Sequence, residues 1–149
     1  LSEQKEEAYI KMAKGKIKLL KGLRDFLEKA REKNIPMAVA TSSPRNVLEF
    51  TLNELQVNDY FPKVKLSAED VKEGKPAPEI FLLAALRLGY KPEGCLVFED
   101  SIPGIRAAKS AGCAVAVPLT TLNKKEAKNE SPDLIFNDFS EGKIQNLLK

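Results

Sequence analysis

Apolar residues change their spacing along this chain, and the changes mark out its elements. Between residues 35 and 41 the run IPMAVAT is almost continuously apolar, the pattern of a short strand buried on both faces. In SSPRNVLEFTLNEL, which follows, Val47, Leu48, Thr51, Leu52 and Leu55 share one helical face; Ser43 is placed to cap that helix, with Pro44 at its first position. The alternation then repeats. KVKLS predicts a strand, KPAPEIFLLAALRLGY a helix closed at Gly89, CLVFED a strand, and IPGIRAAKSAG a helix. CAVAVP and DLIFND predict two more strands, and SEGKIQNLLK a terminal helix. Upstream, Ala8, Tyr9, Met12 and Ala13 make a helical stripe that Gly15 ends, KIKLLKG connects, and Leu23, Phe26, Leu27 and Ala30 begin a second amphipathic helix ending near Asn34. NKKEAKNESPD reads as a polar surface stretch. Apolar strands alternating with helices predict an α/β fold, a doubly wound parallel sheet covered by helices.

Composition narrows the functional classes. The 149 residues suffice for one domain with a proper core. No apolar run approaches ~18 residues, so neither a transmembrane segment nor a signal peptide is expected, and no membrane partner. The 24 basic and 21 acidic residues are dispersed. The densest basic stretch, KMAKGKIKLLKG, lacks interleaved aromatics and reads as a solvated face, so no nucleic-acid partner is expected. Cys95 and Cys113 each open an apolar run; they read as buried structural thiols, and so sparse a count suits a reducing cytosol. The absence of histidine removes Ser-His and Cys-His catalysis and histidine metal sites. Chemistry is left to carboxylates, hydroxyls, lysines and a hard metal ion.

In a doubly wound sheet the site lies at the carboxyl ends of the strands. Those ends carry Thr41-Ser42-Ser43, then a loop with Lys75, then Glu99-Asp100. Adjacent acids at a strand end suit magnesium, which takes one or two protein carboxylates plus water and substrate phosphate. They also suit capping of the next helix, although Ser101 is placed to do that alone. Thr41 and Ser42 precede a helix N-terminus, where hydroxyls and free amides cradle phosphate, or where Ser43 simply caps. Lys75, stiffened by Pro76 and Pro78, is a point charge for a phosphate oxygen and a neighbouring carboxylate, and by itself also an ordinary surface lysine. A hydroxyl, a cation and an acid pair on successive strand ends are together what phosphoryl transfer requires.

These segments resemble the haloacid dehalogenase superfamily of phosphohydrolases, in the branch of β-phosphoglucomutase and the small sugar-phosphate phosphatases. MAVATSSPRN is similar to that family's second motif, GKPAPEIF to its third and VFEDSIPGIRAAKSAG to its fourth. The resemblance implies a Rossmann-like core with a helical cap, and magnesium-dependent phosphoryl transfer on a small phosphorylated metabolite. It implies Thr41 and Lys75 as catalytic and substrate-binding groups, with Ser42 beside them, and Asp100 with Glu99 at the metal. On this mapping residues 1–20 are the last cap helix and the return linker, and 21–149 the core.

One family feature has no counterpart here. The first motif, Asp-x-Asp on the first strand, supplies the nucleophile, and no Asp-x-Asp occurs in this sequence. Asp25 falls in a predicted helix, Asp59 in a loop and Asp138 after the last strand. In the family that first strand lies mid-sheet, between the strands ending at Thr41 and Asp100. The expectation is therefore two strand edges facing a gap, and a partner segment, on a longer or second chain, that fills it. Unpaired backbone groups at about 1–3 kcal/mol each would weaken a domain whose total stability is ~5–15 kcal/mol, so little cooperative melting is expected of residues 1–149 alone. Two other classes stay open: a non-catalytic module that binds phosphate and magnesium, and a receiver-type signalling domain, whose acids and lysine come in a less fitting order.

Overall fold

A computed structural model describes residues 2–149. Leu1 lies outside the described residues. The first helix, α1 (Glu3–Ala13), is capped by the Ser2 hydroxyl and carries one buried residue, Ala13. Its outer apolar residues Tyr9 and Met12 are exposed. It is tied to the core where Gly15 N–H donates to Glu54 Oε1 at 2.6 Å.

The core then alternates as its apolar pattern predicts: α2 (Leu23–Glu32), β1 (Ala38–Ala40), α3 (Arg45–Glu54), β2 (Val64–Leu66), α4 (Glu79–Leu88), β3 (Leu96–Phe98), α5 (Ile102–Ala111) and β4 (Ala114–Pro118). After these come α6 (Lys124–Asn129), β5 (Leu134–Phe136) and the short α7 (Gly142–Gln145). Helix α6 falls in the stretch read as polar surface. Asn123 and Glu126 open it with a capping box, each side chain accepting from the other's backbone N–H.

All strands are parallel, but they form two sheets. β1 pairs with β2, Ala38 opposite Val64, and β3, β4 and β5 pair in that order, Leu96 opposite Ala114. Among the described residues no ladder joins β1 to β3. One apolar cluster nevertheless spans both half-sheets under α4 and α5, with Val64 and Leu66 from one, Val115 and Val117 from the other, and Ile80, Phe81 and Ile105 from the helices. The opposite face is covered by α2, α3 and α7. There Phe26, Phe98, Phe136 and Phe139 stack with ring centroids 5.1–5.9 Å apart, and Leu27, Leu48 and Leu52 form a neighbouring cluster. β4 shows the alternation that puts Val115 and Val117 on one face and Ala116 on the other.

The strand expected to be buried on both faces is only half-buried. Every residue of β1 is partly accessible, and Leu96 of β3 is 39% exposed, whereas Val115, Ala116 and Val117 of β4 are fully buried. The reason is lateral: β4 has a strand on each side, and β1 and β3 have one each. Of the two thiols, Cys113 is buried and Cys95 only partly so; burial pushes the Cys113 thiol up to about 11.

Candidate active site

The three strand ends meet through one lysine. Lys75 lies in the loop before α4, and its ammonium donates to the carbonyl oxygen of Ala40 at the end of β1 (3.2 Å) and to Glu99 Oε2 at the end of β3 (2.8 Å). The Phe81 ring lies below it, 5.0 Å from nitrogen to centroid. The two side chains are 9% and 10% exposed, so this is a nearly buried ion pair bridging the two half-sheets. An ammonium has three donors; protein oxygens take two of them.

Glu99 is held from several directions. Its Oε1 accepts from Asp100 N–H (3.2 Å) and from the Ser101 hydroxyl (3.1 Å), while Ser101 Oγ caps α5 by accepting from Gly104 N–H at 3.1 Å. The carboxylate is folded against the first turn of α5 at Gly104, where a Cβ would stand 2.0 Å from Glu99 Cδ. Glu99 therefore makes its direct ionic contact with Lys75.

Asp100 is turned to another neighbour. Its Oδ2 accepts from the hydroxyls of Thr120 (3.2 Å) and Thr121 (2.8 Å), on the loop after β4. Among the described residues it pairs with no lysine or arginine, and no group of three acids or thiols converges on a common point. Parallel register explains the contact: Phe98 lies opposite Ala116 and Glu99 N–H donates to Ala116 O, so β4 runs on past the end of β3 and its following loop returns over Asp100. The adjacent hydroxyls two residues beyond a strand end were the available signal, but strand pairing had to be known to use it.

Thr41 completes the β1 end. Its N–H continues the ladder to Leu66 O (3.0 Å), and its Oγ1 accepts from Ser43 N–H (3.1 Å), which leaves its hydroxyl proton without an acceptor among the described residues. Ser42 is exposed and makes no side-chain hydrogen bond among them. Ser43 does not cap α3: Pro44 stands at that position in extended conformation. The first helical amide, Arg45 N–H, instead donates to Glu69 Oε2 at 2.9 Å, so the foremost donor of the expected phosphate cradle is taken by a carboxylate. The Arg45 guanidinium reaches Lys65 O (2.8 Å) and Asp70. The Ser67 N–H bond to Asp70 and the nearby Arg45 charge hold the Asp70 carboxyl below its ordinary range despite partial burial.

Comparisons with known proteins bear on the family and the fold. A sequence model for haloacid dehalogenase-like hydrolases matches residues 2–112. The chain belongs to the haloacid dehalogenase-like hydrolase family. Within it, a phosphorylated carbohydrates phosphatase of Thermotoga maritima is 46% identical over 91 residues, 61% of this chain and 42% of that protein. A solved family hydrolase from Entamoeba histolytica superposes with a TM-score of 0.88 at 30% identity, covering 98% of this chain and 68% of that one. The β-phosphoglucomutase of Clostridium difficile superposes with a TM-score of 0.82 at 27% identity, covering 97% of this chain and 62% of its own. The chain thus spans less than half the length of the Thermotoga phosphatase and about two thirds of the two solved structures.

Proposed function

We propose that this chain forms the phosphate- and metal-binding part of a magnesium-dependent phosphatase or phosphomutase acting on a small phosphorylated metabolite, a phosphorylated carbohydrate by similarity to the Thermotoga relative. The observation that carries the reading is the Lys75 bridge. It places an ammonium with a donor to spare between Thr41, whose hydroxyl proton has no acceptor among the described residues, and the acid pair Glu99-Asp100. Lys75 and Thr41 donate to the oxygens of the transferring phosphoryl group, and Glu99 holds Lys75 in place. Ser42, exposed beside Thr41, contributes to substrate binding only if it turns inward.

The donor set of Asp100 fits a hard divalent cation: among the described residues its Oδ1 accepts no hydrogen bond and no lysine or arginine forms an ion pair with it, and water and phosphate would supply the remaining oxygens. A cation there would offset charge that builds on the phosphoryl group. Glu99 stands behind it as a neighbour, not as a second direct ligand. The nucleophile is assigned to no residue of this sequence. In this reading an aspartate on a strand lying between β1 and β3 supplies it, from a longer or second chain, with residues 1–20 continuing from a cap and 21–149 forming the core.

The test is phosphate release from a panel of phosphorylated sugars by the full-length protein, with Asp100→Ala and Lys75→Met beside it. Metal-dependent turnover that both substitutions abolish supports the proposal. Activity retained in Asp100→Ala overturns it. Phosphate and magnesium binding without turnover would favour the non-catalytic module, which the lack of an Asp-x-Asp in the sequence keeps in view.

A further inference from the structure

Two hydroxyls on one carboxylate oxygen are more than anchoring requires. We propose that Thr120 and Thr121 make Asp100 a one-oxygen ligand and so select a small, strictly six-coordinate cation over calcium; the inference rests on the cation reading of Asp100. Both hydroxyls donate to Oδ2, at 3.2 and 2.8 Å, and no described residue donates to Oδ1. A carboxylate oxygen has about two lone-pair sites, so Oδ2 is fully engaged. Chelation through both oxygens would require at least one of the threonines to let go.

That distinction separates cations by their chemistry. Calcium accepts six to eight oxygens in flexible arrangements and readily takes a carboxylate through both oxygens, whereas magnesium demands near-octahedral geometry. A carboxylate restricted to Oδ1 suits the second and handicaps the first. The loop is built to hold this pose. Leu119 N–H donates to Phe136 O (2.8 Å) and Thr120 N–H to Pro118 O (2.9 Å), a tight turn that directs both threonines back to the end of β3, and the Asn123–Glu126 capping box fixes the chain just beyond. Both threonines are otherwise exposed, and Asp100 is the partner of each side chain among the described residues.

The experiment measures binding, not turnover. Manganese binding to the full-length protein is followed by the resonance signal of free Mn2+, with Mg2+ and Ca2+ as competitors. The proteins compared are the wild type, Asp100→Asn, the isosteric pair Thr120→Val/Thr121→Val, and the conservative pair Thr120→Ser/Thr121→Ser. Outer partners of metal ligands shift affinity by about 10–100-fold; accordingly the valine pair should lower the Mg2+-to-Ca2+ preference by about tenfold, and the serine pair should retain it. Circular dichroism checks that each variant is folded, and the serine pair carries the test if the valine pair is not, since its altered preference would also count against the proposal. If Asp100→Asn abolishes manganese binding while the valine pair leaves the preference unchanged, the inference is wrong and the cation reading stands. If Asp100→Asn binds as the wild type does, both fall.

Discussion

Lys75 and Glu99 illustrate how much one pair of side chains has to do here. Nearly buried charges are costly to desolvate, and removing one partner leaves the other uncompensated, at about 3–5 kcal/mol. Lys75→Met should therefore destabilise the protein by about that much, and Lys75→Met/Glu99→Gln by clearly less, as read from urea unfolding. Equal losses in the single and double variants would show that the pair is not coupled. Gly104 is the second point of leverage. A methyl group there would collide with the Glu99 carboxyl, and overpacking of this kind costs about 1–3 kcal/mol. Gly104→Ala is expected to lose that stability and to weaken phosphate binding as well, because Glu99 can no longer hold Lys75. A variant with intact stability and phosphate affinity would remove Glu99 from its positioning role.

At the scale of the element, the helices differ in what ends them. Helix α5 is capped locally: Ser101 accepts from Gly104 N–H, and Gly112 closes the helix at φ 93°. Ser101→Ala should cost about 1 kcal/mol in unfolding free energy. Helix α3 is instead started by Glu69, Asp70 and Ser67 from the turn after β2, through Arg45. This corner is acid-sensitive. Asp70 is depressed below its ordinary 3.8, so its contribution is present above that value and is lost as pH falls through the folded-state value. The stability difference between wild type and Asp70→Asn should shrink below about pH 3.8; a difference constant down to pH 2 would contradict it. The same contrast explains what was legible in the sequence. Local signals carry α4 and α5, since Pro78, Gly89, Ser101 and Gly112 stand where helix ends need them. They fail at Ser43, because Glu69 reaches the α3 N-terminus only in the folded chain. They were overlooked in α6, where dense charge hid the Asn123–Glu126 box. The candidate site divides likewise: its residues stand out at strand ends, while the turn of Glu99 to Lys75 and the contact of Thr120 and Thr121 with Asp100 depend on which strands are neighbours.

For the whole molecule the controlling feature is the pair of half-sheets. β1 and β3 each have one laddered edge, yet a single apolar cluster runs beneath both, and Lys75 ties their ends together. Helices α4 and α5 thus hold the half-sheets side by side while, among the described residues, the backbone groups of the facing edges of β1 and β3 go without strand partners. Such edges are templates for a further strand. If the proposed nucleophile strand belongs between them, a synthetic peptide of about five apolar β-forming residues ending in Asp-x-Asp should bind residues 1–149 and stabilise them. Binding to the folded form alone adds RT ln(1 + [L]/Kd), about 2.7 kcal/mol at a hundredfold excess over Kd. For a domain of this size that is a rise in Tm of roughly 5–10 °C. Calorimetry should accordingly show a broad, weak transition for residues 1–149 alone and a sharper, higher one with the peptide. A control peptide with a proline at its centre should leave the melt unchanged, because it lacks a ladder donor and cannot lie in a central strand. A sharp two-state transition without any peptide, unmoved by adding one, would mean that the half-sheets are complete as they stand and that the nucleophile must be sought elsewhere.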